Sequence, residues 1–395
     1  MRKCRELAYG WSPRIFRGLQ VLFMMTLSIG GSMVAIAGPP FEPAGDAEIL
    51  AYVPTGATHT GLAQRAQAAA RLDVALPLAQ FYISQARSTG DLRFLGYAQA
   101  LLIPWTRPPS AEPQALVLMA TVLQSRHEFR AALEDLDIAL RARPEDPQAW
   151  LTRATVLRVL GRYADAEQSC QHLSGADAVA VLCLQGIRAV SGQLDSAYGV
   201  TRAISPQALT NTTRAWRYSQ LGEMAEALGD DSTASHWFSE CLELTPDDMY
   251  TRATYADLLL RQGHPAEVLR LLSGYQSMEP MLLRVAIAQG QMGAPGLAKS
   301  RAALEEAFEL EERRGEAVHR REQARFLLDV LNQPEEALRV ALINWQVQRE
   351  PDDALVLLRA ARTAGRAATA SAAAQFVRAH HLQDARLTPY LPGAT

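Results

Sequence analysis

The sequence predicts an all-α fold, a solenoid of stacked helical hairpins. Three observations carry that prediction. Alanine and leucine dominate and β-branched runs are scarce, a composition that favours helix over sheet. A pattern of apolar and small residues recurs every 34 residues, as it does in a repeating array. Glycines fall between the helical stretches and prolines at their ends, where a helix must turn or stop. At 395 residues, 48% of them apolar, the chain is long enough for two ordinary domains or one extended array.

The N-terminus differs from the rest. Arg2, Lys3, Arg5, Arg14 and Arg17 make a basic start opposed by Glu6 alone, and an apolar stretch follows from Leu19 to Ala37. It ends in Ala35-Ile36-Ala37, a small-x-small site, so residues 1–37 read as an export signal cut near Ala37. The chain is then expected to be periplasmic or secreted. The apolar stretch also suffices to span a bilayer, so an uncleaved inner-membrane anchor is the alternative. Residues 38–59, with Pro39, Pro40, Pro43 and Pro54, read as a flexible lead-in.

The solenoid is expected over residues 60–384. Shifted by 34 residues, WLTRATVLRVLGRYADAEQ (150–168) falls on LVLMATVLQSRHEFRAALE. Ala120 then matches Ala154, Leu123 matches Leu157, Phe129 matches Tyr163 and Ala132 matches Ala166. Gly222, Gly229, Ala234, Phe238 and Pro246 occupy the same relative places further on, and the next step leads to Ala256. The small residue at 120, 154, 222 or 256 is expected to let the first helix of a hairpin approach its second. Gly161, Gly229 and Gly263 are expected to turn the chain between them. More divergent repeats flank these, giving about nine in all, with residues 385–395 as a C-terminal tail.

This pattern resembles the tetratricopeptide repeat family. The resemblance implies a right-handed superhelix whose concave face, lined by the first helix of each repeat, holds another protein or a peptide segment. On the matching positions that face carries Val117, Thr121, Gln124, Leu151, Thr155 and Arg158. Trp216, Ser219, Glu223, Glu226, Tyr250, Asp257 and Arg261 continue it. Trp216 and Tyr250 are the expected anchors, because aromatics and arginines dominate binding energy at interfaces. Glu223, Glu226 and Asp257 suggest an occupant with some positive charge, while Arg158 and Arg261 make the surface mixed. Members of the family that clamp chaperone tails present Lys and Asn in the groove, and here those places hold Val117 and Thr121 or Leu151 and Thr155.

The rest of the sequence excludes more than it assigns. The net charge is −3, and −7 without residues 1–37; Lys3 and Lys299 are the only lysines, and the arginines are scattered. No basic face invites nucleic acid, and a membrane is a partner only if the N-terminal segment is retained. Gly290–Gly296 lacks the lysine placement of a phosphate loop. The eight histidines have no ligand-spaced companions, and Glu305, Glu306, Glu309, Glu311 and Glu312 read as a solvated stripe. No catalytic, cofactor or metal residue is assigned. Cys170 and Cys183 fit either a disulfide between adjacent helices or two buried apolar thiols. The function read from the sequence is a non-catalytic exported scaffold. An anchored assembly or secretion factor of the bacterial envelope is one alternative, and an enzyme or carbohydrate binder with a site grafted on the solenoid is the other.

Overall fold

A computed structural model of the protein describes residues 67–173, 178–313 and 319–391. The signal or anchor, the lead-in and the start of the solenoid lie outside the described residues, as do residues 392–395. The described residues all belong to the body Pro40–Thr395.

Among the described residues there is no strand, and nine helical hairpins follow one another. They are α1 (Leu72–Thr89) with α2 (Arg93–Leu102), α3 (Pro113–Ser125) with α4 (Phe129–Ala142), and α5 (Pro147–Val159) with α6 (Tyr163–Gln171). Next come α7 (Ala178–Ala189) with α8 (Leu194–Ala203), α9 (Asn211–Ala227) with α10 (Asp231–Leu244), and α11 (Met249–Arg261) with α12 (Pro265–Leu271). The last three are α13 (Glu279–Met292) with α14 (Leu297–Arg313), α15 (Arg320–Arg325) with α16 (Pro334–Val347), and α17 (Pro351–Thr363) with α18 (Ser371–Ala379). A π turn, Phe326–Val330, extends α15.

Local sequence sets these boundaries. Asp146, Thr210, Asp230 and Asp248 each accept backbone N–H groups of the first turn they precede. Pro113, Pro147, Pro334 and Pro351 open their helices, where proline's missing N–H costs nothing. The expected small contacts are enclosed: Ala120, Ala132, Ala166, Ala234 and Ala256 are all fully buried. At Gly222 a methyl group would stand 2.4 Å from the ring of the buried Phe238, so only glycine allows α9 and α10 to approach this closely. Each helix packs on its hairpin partner and on the next hairpin, and first helices also touch first helices. This is a right-handed superhelical solenoid, in which no hairpin hides its apolar side alone.

The superhelix is tight enough for its successive turns to touch. The turn inside a hairpin meets the linker that opens the sixth hairpin beyond it. Gly90 lies against Met278, just ahead of α13, and Gly161 against Arg349 and Phe376. Burial and the charge of His319 hold His127, at the second hairpin's turn, down to about 4. Gly192 lies against His381 and Gly229 against Ala385, so residues 380–391, assigned to the tail from Ala385 on, run along the turns of the middle repeats. Main-chain bonds seal these junctions: Arg349 N–H donates to Val159 O (2.8 Å) and Ala385 N–H to Ala227 O (2.8 Å). Gly161 is the most constrained turn, with φ at 71° and no room for a Cβ beside Phe376.

A disulfide joins Cys170 at the end of α6 to Cys183 in α7, with the Cα atoms 5.6 Å apart. Of the two arrangements open to this pair, the structure has the bonded one. Cys241 is free and buried. No described helix is long and apolar enough to cross a membrane.

Candidate functional site

Because successive turns touch, the concave face is partly enclosed as a lumen. Two cavities occupy it, of about 940 Å³ and 970 Å³. They share Arg87, Glu226, Met249, Tyr250, Asp352 and Arg386 in their walls, so they form one continuous space. First helices supply most of the wall, because in each hairpin the second helix packs outside the first.

Ten of the thirteen residues expected on the concave face are in this wall. Leu151, Thr155, Arg158, Trp216, Ser219 and Glu223 face the first cavity, Asp257 and Arg261 the second, and Glu226 and Tyr250 both. Val117, Thr121 and Gln124 do not reach it. Thr121 is buried and its hydroxyl donates to Val117 O on its own helix (3.0 Å). Val347 of α16, from a neighbouring superhelical turn, packs onto the apolar cluster that contains Val117.

The arginines are scattered along the sequence, yet the fold gathers them around the lumen. Arg158 pairs with Glu223 (3.8 Å) and with Glu350 of the overlying turn (3.5 Å). Arg261 bridges Glu226 (2.9 Å) and Asp231 (2.7 Å). Arg386 holds Asp384 (2.7 Å), Asp352 (2.9 Å) and Glu226 (3.4 Å). Arg284 and Arg325 both hold Asp257, at 2.5 and 2.8 Å. Burial works against the Asp257 charge, but these two guanidinium groups outweigh it and hold the carboxyl down to about 2. Glu223 has weaker support: burial pushes it up to about 7 against the pull of Arg158 and of the Tyr250 hydroxyl.

The acidic residues expected to attract positive charge are thus already neutralised from within. Arg87, in α1, is the exception of opposite sign. It reaches both cavities and has no hydrogen-bond or carboxylate partner among the described residues. Burial without a counter-charge pulls its guanidinium below the usual value. Tyr250 leaves 55% of its surface accessible although protein surrounds it, so that exposure is to the lumen. Trp216 is half-buried, one side in the core between repeats and one side on the cavity. Arg87, Glu350, Asp352 and Arg386 were not legible as site residues, because they reach the lumen from a neighbouring superhelical turn.

Outside the lumen, Gly293 ends α13 with φ at 61°, the inter-helix turn that the repeat predicts in place of a phosphate loop. The acidic stripe on α14 is half-buried at Glu305 and exposed at Glu309, which pair with Arg301 and Arg313. Glu311 departs from it and is buried.

Residues 117–178 match the family model of the tetratricopeptide repeat. No curated protein matches the sequence. Among solved structures, a thermophilic tetratricopeptide repeat protein of Thermus thermophilus is similar at 18% identity and TM-score 0.37, over 46% of this chain and 99% of that one. A tetratricopeptide repeat protein of Parabacteroides merdae is similar at 14% identity and TM-score 0.39, over 61% and 99%. Human IFIT1, a dimer solved with PPP-AAAA, is similar at 14% identity and TM-score 0.46, over 73% and 68%. The matched segment shares its 34-residue period with the hairpins around it, so the described residues have the fold of a tetratricopeptide repeat solenoid.

Proposed function

We propose that the protein is an exported, non-catalytic scaffold that takes a segment of another protein into its lumen. The observation that carries this reading is the continuous cavity with Arg87 and Tyr250 facing it. A cation without a counter-charge and an accessible aromatic ring are the groups that an incoming segment can satisfy. The occupant therefore brings a carboxylate to Arg87 and an apolar or planar group to Tyr250 and Trp216. This reverses the charge expected from Glu223, Glu226 and Asp257, which are already paired. The Cys170–Cys183 disulfide supports an oxidising compartment, and with it export. Retention of Leu19–Ala37 would make the same scaffold an inner-membrane-anchored assembly factor.

A photo-reactive residue at Tyr250 tests this reading in the native envelope, with Phe81, exposed on α1 and not in the wall of either cavity, as the control. A protein crosslinked at 250 and absent at 81 is expected, and its crosslinked segment should bind purified protein more weakly after Arg87→Gln. Equal labelling at both positions, or binding indifferent to Arg87, refutes the placement.

One observation favours a second reading. Glu223, held near neutrality beside Tyr250 and Trp216, is the combination of acid and aromatic rings that a carbohydrate-binding or glycan-cleaving site uses. Glycan binding that is lost in Trp216→Ala, with no protein crosslinked at 250, would favour it over the first.

A further inference from the structure

Away from the lumen, the fold brings together three side chains that the sequence left apart. Glu279 opens α13, Glu311 lies in the last turn of α14, and His319 stands immediately before α15. Their donor atoms all lie within 4.8 Å of one another. His319 Nδ1 is 2.9 Å from Glu311 Oε1 and 3.3 Å from Glu279 Oε1. The side chains of His319, Glu311 and Glu279 are largely enclosed, at 21%, 9% and 14% exposure respectively.

The hydrogen-bond count does not close around a proton. Nδ1 carries at most one hydrogen, and Glu311 receives it. Glu279 Oε1 is fully enclosed and, with the Nδ1 hydrogen given to Glu311, receives no hydrogen bond among the described residues. With both carboxyls ionised, the two acids around one imidazole also leave a negative charge in excess even when the imidazole is protonated. Arg321, Arg284 and Arg325 pair with other acids, Arg321 with Glu322, Glu350 and Asp353, and Arg284 and Arg325 with Asp257. A buried, unsatisfied carboxylate oxygen is costly unless something positive reaches it.

We propose that Glu279, Glu311 and His319 form a binding site for a divalent zinc ion. One imidazole nitrogen and two carboxylate oxygens are zinc donors, and bonds of about 2.0–2.2 Å in a tetrahedral arrangement put donors about 3.3–3.5 Å apart. Nδ1 to Glu279 at 3.3 Å already fits, Nδ1 to Glu311 at 2.9 Å has to lengthen by a few tenths of an ångström, and the carboxylate–carboxylate side lies within 4.8 Å. Zinc takes the place of the Nδ1 proton, neutralises both carboxylates and supplies the missing partner of Glu279. With three protein ligands, the fourth position belongs to water. The ion ties both ends of the seventh hairpin to the start of the eighth, next to the turn at His127. The sequence conceals the site because each ligand comes from a different helix end.

The test is calorimetric titration of Zn²⁺ alone into tag-free protein stripped with a chelator. One zinc per chain is expected, with proton release. Glu279→Gln with His319→Gln should weaken binding by more than the roughly 10–100-fold that changes behind a ligand shell cost. Glu309→Gln, an exposed carboxylate on the same helix as Glu311, should leave it unchanged. Should the double variant fail to fold, X-ray absorption on the zinc-loaded wild type decides. Nitrogen and oxygen neighbours including a single imidazole support the site. A sulfur neighbour, no zinc uptake, or equal affinity in a folded double variant overturns it.

Discussion

Arg386 is where contact between superhelical turns can be tested most sharply. Its guanidinium reaches Asp384, Asp352 and Glu226, and two of these side chains, Asp384 and Glu226, are 3% exposed. Arg386→Ala removes the shared cation and leaves the acids in place. Breaking a buried pair by removing one partner costs about 3–5 kcal/mol, because a charge stays buried without compensation. Glu226 keeps Arg261 at 2.9 Å, so the loss belongs at the lower end, about 3 kcal/mol. The chain can relieve it by lifting residues 380–391 away, which exposes Asp384 to water and breaks the Ala385–Ala227 bond. At about 1.4 kcal/mol per tenfold, opening at this junction becomes about 100-fold more frequent. Hydrogen exchange at the Ala385 amide reads this directly, with amides inside α5 and α9 as internal references. A rate at Ala385 within a factor of about three of wild type would show that Arg386 does not hold the turns together.

Gly222→Ala should destabilise the fold by about 1–2 kcal/mol in a denaturant melt, since crowding of Phe238 exceeds the helix-propensity gain, whereas Gly290→Ala, with room around it, should be neutral or stabilising. Burial holds Glu223 and Asp353 both up to about 7, so the stability from their protonated forms is complete below about pH 4 and is lost as pH rises through 7. Asp257, at about 2, works in the opposite sense but only in acid, so Tm should fall between about pH 5 and pH 8, and Glu223→Gln should flatten that fall. Replacing Cys170 and Cys183 by serine should cost about 3 kcal/mol, read as a lower midpoint that matches reduced wild type.

Which features were legible in the sequence follows from where their causes lie. Hairpin positions, turn glycines and small contacts depend on residues within one repeat of each other, and there the 34-residue pattern is informative: Ala120, Ala154, Gly222 and Ala256 all sit where helices approach. The groove residues Arg158, Glu223 and Tyr250 were legible for the same reason, since each needs only its own helix to face inward. Glu350, Asp352 and Arg386 depend on the superhelical pitch, a small rotation per repeat accumulated over six repeats. No local pattern encodes that rotation. The internal arginines were hidden differently. Arg217 is 3% exposed and gives its guanidinium to the carbonyls of Thr201 and Arg202, while Arg252 does the same for Leu271 and Pro246. A planar fork of donors closes carbonyls that helix ends leave open, so arginine serves here as a packing residue.

Touching turns change what kind of solenoid this is. An open array is stabilised by neighbours alone, so each repeat opens nearly independently of distant ones. Here α5 is bonded to the linker before α17, and α9 to the segment beyond α18. Each such junction is small: one main-chain bond at Arg349–Val159, with the Tyr163 ring on Phe376 and His380, and one at Ala385–Ala227, with Leu194 N–H donating to Gln383 nearby, together with the charged groups around them. A hairpin interface, by contrast, buries whole rows of alanine and leucine. The turns are therefore expected to part before any hairpin does. Carboxylates and arginines line both the lumen and these junctions, so an occupant that engages Arg158, Glu223 or Glu226 competes directly with the contacts that keep it enclosed.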